Sequence, residues 1–323
     1  MTNEHFLVTG AMGCIGAWVV RNLIQEGVPT TVLDLAGDAH RMRLIMSADE
    51  IAQVRFVTGD IADLPTVERV LAESGATRII HLAALQVPFC KADPSLGARV
   101  NVVGTVNVFE AAKRQGLRHM VYASSVAVYG SSEDYPEGLP SHDAPLLPRT
   151  HYGVYKQANE GTARIYWQDD GISSICLRPY TVYGPGRDQG LTSSPTKAML
   201  AAAVGQPFHI PFGGRGDFQF VDDVAKAFIQ SARTSFAGAV VLNLRGSVLH
   251  MREIIAAIEE AEPAMRGRLS CDDTTLPFPE VLDITPVAAV LGQVPQTTLA
   301  DGVATTIAIF KPALADGRLT WAK

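Results

Sequence analysis

Three side chains near the middle of the sequence have the types and spacing for proton chemistry. Tyr152 and Lys156 are four residues apart in a stretch, 150–160, whose pattern predicts a helix. Both side chains then stand on one face, with Cβ atoms about 5–6 Å apart. A free phenol titrates near pH 10 and a neighbouring ammonium favours its ionised form, so Lys156 is expected to lower the Tyr152 pKa and make it a general base. Ser125 follows an apolar, strand-like run at 119–123 and is suited to hold the oxygen on which Tyr152 acts. Such a trio can take a proton from a secondary alcohol as a hydride leaves its carbon. It contains no hydride acceptor.

The N-terminus supplies a place for one. A short apolar strand at 5–9 runs directly into Gly10-Ala11-Met12-Gly13-Cys14-Ile15-Gly16, and a helical pattern follows from Trp18. Glycines at this spacing permit a tight turn, close approach of a pyrophosphate and close helix–strand packing, with the helix N-terminus turned to the phosphates. A second strand, 30–33, ends in Asp34, where a carboxylate reading the ribose is expected. That carboxylate would accept from a 2′-hydroxyl and repel a 2′-phosphate, and Leu35-Ala36-Gly37 offer no cation to receive one, so NAD is predicted over NADP.

With these pieces in hand, the sequence resembles the extended short-chain dehydrogenase/reductase family, the NAD-dependent epimerase/dehydratase group. Besides the glycine loop and the Tyr152/Lys156 pair, the resemblance rests on Gly59-Asp60-Ile61, His81-Leu82-Ala83-Ala84, Asn101-Val102-Val103-Gly104, Ser124-Ser125-Val126-Ala127-Val128-Tyr129-Gly130, Arg178-Pro179, Val182-Tyr183-Gly184-Pro185-Gly186 and Val221-Asp222-Asp223-Val224-Ala225. It implies an α/β fold, a Rossmann-type doubly wound parallel sheet with a smaller, discontinuous C-terminal substrate-binding lobe. Residues 1–180, with parts of 215–245, would form the NAD-binding domain, and 181–323 mainly the substrate lobe.

The resemblance also implies cofactor contacts. Gly10, Gly13, Cys14, Ile15 and Gly16 would meet the pyrophosphate, Asp60 and Ile61 the adenine, and Leu82, Ala83 and Ala84 the dinucleotide backbone. Tyr152 and Lys156 would meet the nicotinamide ribose and Tyr180 the carboxamide, while Asn101 would lie beneath the site and help place Lys156. Asp60 suits a helix N-cap equally well, Asn101 suits a structural amide, and His81 reads as a packed histidine.

In this family 4,6-dehydratases carry an acid just after the catalytic hydroxyl, where this chain has Val126-Ala127, so dehydration is not expected. Nucleotide-sugar enzymes commonly have an Arg before Asp-Phe; here Gly216 precedes Asp217-Phe218, with Arg215 one place earlier. Thr181 stands where many UDP-sugar 4-epimerases have Asn. Gln86, Ser125, Thr181, Arg187 and Arg215 are the candidate substrate contacts. The expected activity is NAD-dependent oxidation of a secondary alcohol on a sugar or sugar-derived acid, by dehydrogenation or by epimerisation through a ketone. Alternatives are a UDP-sugar 4-epimerase with tightly held NAD and, remotely, a non-catalytic NAD-binding protein.

Bulk properties agree with a core-forming enzyme: 323 residues, 47% hydrophobic, with 27 basic against 33 acidic residues and a net charge of −6. No Lys/Arg-rich run suggests a nucleic-acid or anionic-membrane partner. Four isolated cysteines, Cys14, Cys90, Cys176 and Cys271, lack metal-ligand spacing. No signal peptide or apolar run of about 20 residues is read, so a cytoplasmic protein is expected. The helices read at 93–115 and 150–169 are, by resemblance, the homodimer surface.

Overall fold

The computed structural model describes residues 4–35, 37–135 and 139–321; Ala36 and residues 136–138 lie outside them, as do both extreme termini. In chain order the strands are β1 (Phe6–Thr9), β2 (Thr30–Asp34), β3 (Arg55–Thr58), β4 (Arg78–His81), β5 (His119–Ala123), β6 (Ser173–Arg178), β7 (Thr181–Tyr183), β8 (Phe208–Ile210), β9 (Arg215–Phe220), β10 (Ala239–Asn243), β11 (Ser247–His250) and β12 (Leu269–Cys271). Seven make one sheet in the order β10-β6-β5-β4-β1-β2-β3, and every pairing in it is parallel.

Strands covered by helices on both faces must be apolar throughout rather than alternating. β1 and β6 are buried at every position; β1 is apolar up to Thr9, while β6 carries Ser173, Ser174 and Arg178 into the interior, Ser173 and Arg178 with hydrogen-bond partners. One face is covered by the helices Cys14–Gln25 and Val221–Arg233, whose Trp18, Leu23, Val224 and Phe228 join Val8 and Val32 in one cluster. On the other face Val67, Val108, Phe109 and Ala163 pack on Leu7 and Tyr122. Each such fully buried large side chain stabilises by about 1.5–3 kcal/mol.

Strand order reverses between β1 and β4, and ligands of open α/β sheets bind outside the carboxyl ends of strands at that point. Gly10 directly follows β1 and Leu82 directly follows β4, so the chain's small residues meet there.

The helix expected at 93–115 is a relay of three pieces: Pro94–Ala98, a π-helical turn at Arg99–Val103, and Gly104–Arg114. Asn101 is at the centre of the wide turn. After Gly184 the pattern reads as irregular punctuation between short elements, with helices expected from Asp222 and at 250–260, 283–291 and 298–310 and a strand at 239–244. The structure has helices at Val221–Arg233, Met251–Ala261 and Thr285–Leu291 and the strand β10, and adds short strands the pattern did not show. β7 joins β9 in parallel and β9 joins β11 antiparallel, while β8 and β12 form a separate pair. The last helix, expected at 298–310, runs Leu299–Ala315 and contains Pro312. Tyr183, Phe212, Phe218, Phe220, Met251 and Phe310 belong to the apolar cluster of this part of the chain. β10, between β9 and β11 in the chain, returns to the large sheet beside β6.

Candidate active site

The glycine-rich turn is shaped by exclusion. Gly10 has φ +70°, and a Cβ there would lie 2.4 Å from the Ala83 backbone nitrogen; at Gly16 it would lie 2.5 Å from the Gly10 carbonyl oxygen. Both neighbours are backbone and cannot step aside, so only glycine brings β1, the helix and the β4 edge this close. Gly13 sits at the N-cap of the helix Cys14–Gln25 and provides no side-chain cap, which leaves the first-turn N–H groups of Cys14, Ile15 and Gly16 directed outward as an anion cradle. Asp34 ends β2 beside this turn, accepting from Met12 N–H at 3.0 Å and Leu35 N–H at 2.8 Å. Its two oxygens keep further lone pairs for a ribose diol. These features fit a dinucleotide.

Arg41 is the nearby cation that the sequence pattern gave no means of seeing. Its guanidinium is already occupied, donating to the Met12 carbonyl at 2.7 Å, the Gly186 carbonyl at 3.1 Å and Asp188 at 2.7 Å. Arg43 likewise pairs with Asp38. Neither is free to receive a 2′-phosphate.

Of the other expected cofactor residues, Asp60 accepts from Ala62 N–H at 2.8 Å in the turn after Gly59 but caps no helix, since the helix Leu64–Ser74 has Asp63 at its N-cap. Ile61 is buried against Gly104, and Asn107 donates to its carbonyl at 2.8 Å. Leu82 N–H continues the ladder to the Thr9 carbonyl, and Ala83 lies on Gly10. Asn101 clamps Leu85 from both sides, accepting its N–H at 2.7 Å and donating to its carbonyl at 2.9 Å. Its side chain therefore fixes the loop after β4, while its own carbonyl accepts from Asn159.

His81 is packed, not reactive. The Thr105 hydroxyl donates to the Asn101 carbonyl, so it accepts from His81 Nε2 at 3.0 Å, leaving Nδ1 to accept from Thr9 Oγ1 at 2.7 Å. Burial first, then the Lys156 charge, push its pKa down to about 3.

The trio predicted for proton chemistry is assembled by the helix His151–Asp170. Thr150 caps it, accepting from Gly153 N–H at 3.0 Å. A Cβ at Gly153 would lie 2.1 Å from the Ala127 carbonyl oxygen, so glycine allows the helix start to press onto the turn Val126–Val128. That contact brings Tyr152 to Ser125, whose hydroxyl accepts from Ala127 N–H at 3.2 Å. Lys156 is buried; its Nζ donates to the Ala123 carbonyl at 2.7 Å and stands 5.7 Å from the Tyr152 ring centroid.

One expectation is corrected here. Lys156 does not lower the Tyr152 pKa below its ordinary value; burial raises it, and the groups pulling it back are Ser125 and Arg187. Removing a phenolate from water outweighs the favourable charges around it. The same burial brings Lys156 itself down to about 8.

A pair absent from the predicted site fixes this helix to the sheet. Glu160 accepts from Arg178 through both oxygens, at 2.9 and 2.7 Å, and also from the Ser124 hydroxyl, all in the buried interior. Only Arg178, closing the apolar run Ile175-Cys176-Leu177, gave a signal in the sequence, since a buried charge must be paired; Glu160 lies in a polar stretch of its helix.

The candidate substrate residues divide. Gln86 and Arg187 converge: a Cβ on Gly190 would lie 3.1 Å from Gln86 Oε1 and 4.0 Å from Arg187 Nη2. Arg187 donates to Thr192 at 2.7 Å. Thr181 is buried in β7 opposite Phe218, and Arg215 is exposed, donating only to the Val248 carbonyl at 3.4 Å. Tyr180, expected near the nicotinamide, packs its ring edge-on to Phe278 at 5.9 Å and against Gly216. Its buried hydroxyl has no protein partner. Among the described residues no cluster of His, Cys, Asp or Glu has metal-site geometry, and no helix is long and apolar enough to cross a membrane.

A parallel sheet with a glycine turn at its switch point and a Tyr/Lys pair at the same edge defines a dinucleotide-binding protein of the extended short-chain dehydrogenase type. Residues 6–244 match the NAD dependent epimerase/dehydratase family, and the chain belongs to it. A UDP-glucose 4-epimerase from Mycolicibacterium smegmatis is 33% identical over 318 residues, 94% of this chain and 98% of that protein. A dTDP-glucose 4,6-dehydratase from Streptomyces griseus is 31% identical over 320 residues, covering 94% and 93%. The structure of UDP-glucose 4-epimerase from Thermus thermophilus in complex with NAD is similar with a TM-score of 0.80 at 27% identity, over 96% of this chain and 100% of that one. That of a Streptomyces venezuelae dTDP-glucose 4,6-dehydratase with NAD bound gives 0.81 at 25%, over 97% and 98%. The cofactor of this family is NAD.

Proposed function

We propose that this protein oxidises a secondary alcohol of a sugar or sugar-derived acid by Tyr152-assisted hydride transfer. Epimerisation follows if the ketone is turned and reduced again, and net dehydrogenation if it leaves. The observation that carries this reading is the seating of the Tyr152 helix start, through Gly153, on the turn that follows Ser125 at the end of β5, with Lys156 Nζ 5.7 Å from the Tyr152 ring centroid. NAD, when bound, supplies the hydride acceptor.

The chain's own residues do the rest. Ser125 holds the substrate oxygen, and Tyr152, second residue of a helix whose N-terminal dipole favours an anion, takes the hydroxyl proton. Lys156, anchored on the Ala123 carbonyl, keeps a positive charge at the ring and reaches the ribose. Asp34, the Cys14–Gly16 amides and the small residues Ala83 and Ala84 hold the dinucleotide, with Asp60 and Ile61 beside its adenine.

Absence of an acid after Ser125 argues against 4,6-dehydration: Val126 and Ala127 are apolar and buried, and Glu160 is engaged by Arg178. A second reading, a UDP-sugar 4-epimerase, is favoured by the full-length relative. Against it, the residue before Asp217 is Gly216, and Arg215 is exposed. Phe89, Leu96, Val103, Val154 and Ile165, exposed on and beside the two long helices, support a homodimer through that face.

The test is absorbance at 340 nm with NAD and a panel of sugars, aldonic and uronic acids and UDP-sugars, with Tyr152→Phe as control. Loss of turnover by about 10²–10⁴-fold in the variant is expected. Unchanged turnover in Tyr152→Phe would sink the mechanism, and interconversion of UDP-sugars without net NADH would select the second reading.

A further inference from the structure

We propose that Arg187 determines substrate specificity by binding a carboxylate carried by the substrate close to the carbon that is oxidised. This deepens the reading above and rests on it for the identity of the reacting group.

Three observations lead to it. Arg187 is held rigidly from both sides. Trp18 donates to the Pro185 carbonyl at 2.9 Å and Arg41 to the Gly186 carbonyl at 3.1 Å; after it, Asp188 is gripped by Arg41 and by His40. Thr192 then fixes one end of the guanidinium. Ordering an arginine costs rotamer freedom, and here that cost is met before any ligand arrives.

The guanidinium is also unspent. Its Nε is buried with no hydrogen-bond partner, and none of the ion pairs among the described residues involves Arg187. The adjacent Asp188, which would be its natural neutraliser, is bound to Arg41 instead. A buried, unpaired guanidinium nitrogen is costly unless something else fills the position.

Finally, the position is next to the chemistry. Arg41 ties the Gly186 carbonyl beside Arg187 to the Met12 carbonyl of the glycine turn, at 3.1 and 2.7 Å. Nη2 and the Gln86 amide oxygen flank Gly190 together, with the Arg187 charge among those that favour the Tyr152 phenolate. Gln86 Oε1 can accept from a substrate hydroxyl while Arg187 donates to the carboxylate, a charge-assisted contact of the strong kind. A carboxylate within one sugar of the reacting alcohol satisfies this arrangement, and no other buried cation of the site is left for it: Lys156 is committed to the Ala123 carbonyl, and Arg178 to Glu160.

The test uses thermal shift and competition on NADH-loaded protein, with D-glucuronate, D-galacturonate and D-gluconate against D-glucose, D-galactose and UDP-glucose, in wild type, R187Q and R187K. NADH affinity is measured separately by fluorescence. The sugar acids should stabilise wild type in preference to the neutral sugars, R187Q should weaken them by about 10–100-fold with NADH affinity unchanged, and R187K should recover part of the loss. The proposal is overturned if no acid binds, if UDP-glucose binds more tightly than the acids and is indifferent to R187Q, or if R187Q weakens NADH as much as the acids, which would assign the guanidinium to the cofactor. Repeating the binding series in Tyr152→Phe separates the two ideas: retained turnover there overturns the reaction, while acid binding lost in R187Q still upholds the specificity residue.

Discussion

The glycine turn after β1 and the loop at 184–190 meet through Arg41, yet they are held in opposite ways. In the turn, backbone sets most of the geometry: Gly13 N–H donates to the Gly10 carbonyl, the glycines leave room for backbone alone, and Asp34 accepts from Met12 N–H while Arg41 donates to the Met12 carbonyl. The later loop is held by side chains from far away in sequence, Trp18, His40 and Arg41, and it ends with an unpartnered guanidinium nitrogen. A ligand shared by a whole family can be bound by backbone geometry. One that distinguishes members needs a side chain kept free by tertiary contacts.

The largest effect should come from the residue that ties the catalytic helix to the sheet between these regions. Glu160→Gln leaves Arg178 buried without its counter-charge, at a cost of about 3–5 kcal/mol in urea denaturation. A loss under about 1 kcal/mol would mean that the helix His151–Asp170 is fixed by packing alone.

Gly10→Ala should follow, costing about 2–4 kcal/mol because the turn has a positive φ and its Cβ meets backbone. NADH affinity should fall in parallel. If the variant kept both, the turn would be softer than the comparison requires.

Lys156→Met is expected to act in the reverse direction on stability. Burial lowers this lysine from 10.5 to about 8, so the unfolded chain binds its proton more tightly and the native state carries a penalty below pH 8. That penalty is relieved as pH rises from about 8 to 10.5. The variant should gain about 1–2 kcal/mol at pH 7 and lose this alkaline rise, while turnover disappears. Denaturation at pH 7 and pH 10 would show both; a destabilised variant would mean that the Ala123 contact outweighs desolvation.

The smallest change belongs to Arg215→Ala, on an exposed strand position. Stability should stay within about 0.5 kcal/mol and KM within about twofold. A large rise in KM for a UDP-sugar alone would blur the contrast with Arg187 and return weight to a nucleotide-sugar substrate.

The first region was legible because its rules are local. Strand, glycines, helix and a terminal Asp follow one another within 29 residues, from Phe6 to Asp34, and each constrains the next. Tyr152 and Lys156 were legible for the same reason, through helical spacing. The π turn at Asn101 was not, since its extra residue is held by contacts with Leu85 and Asn159 that lie far away in sequence. The strands β8, β9, β11 and β12 were equally hidden, because pieces of three to six residues among glycines and prolines carry too little periodicity to be read.

The direction of the Tyr152 shift shows where reading stopped. Spacing placed an ammonium near a phenol, and charge alone predicts a lowered pKa. How much water either group keeps is a property of the packed interior, and burial reverses the sign.

Sequence by itself determined most of the sheet's apolar strands, the glycine turn, Asp34 at the end of β2 and the pairing of Tyr152 with Lys156, because each depends on neighbours within a few residues. Tertiary structure alone decided which charges are neutralised: Arg178 by Glu160, Arg41 by Asp188, and Arg187 by no residue of the described chain. Charge neutralisation depends on distance and desolvation, and neither is written in sequence order.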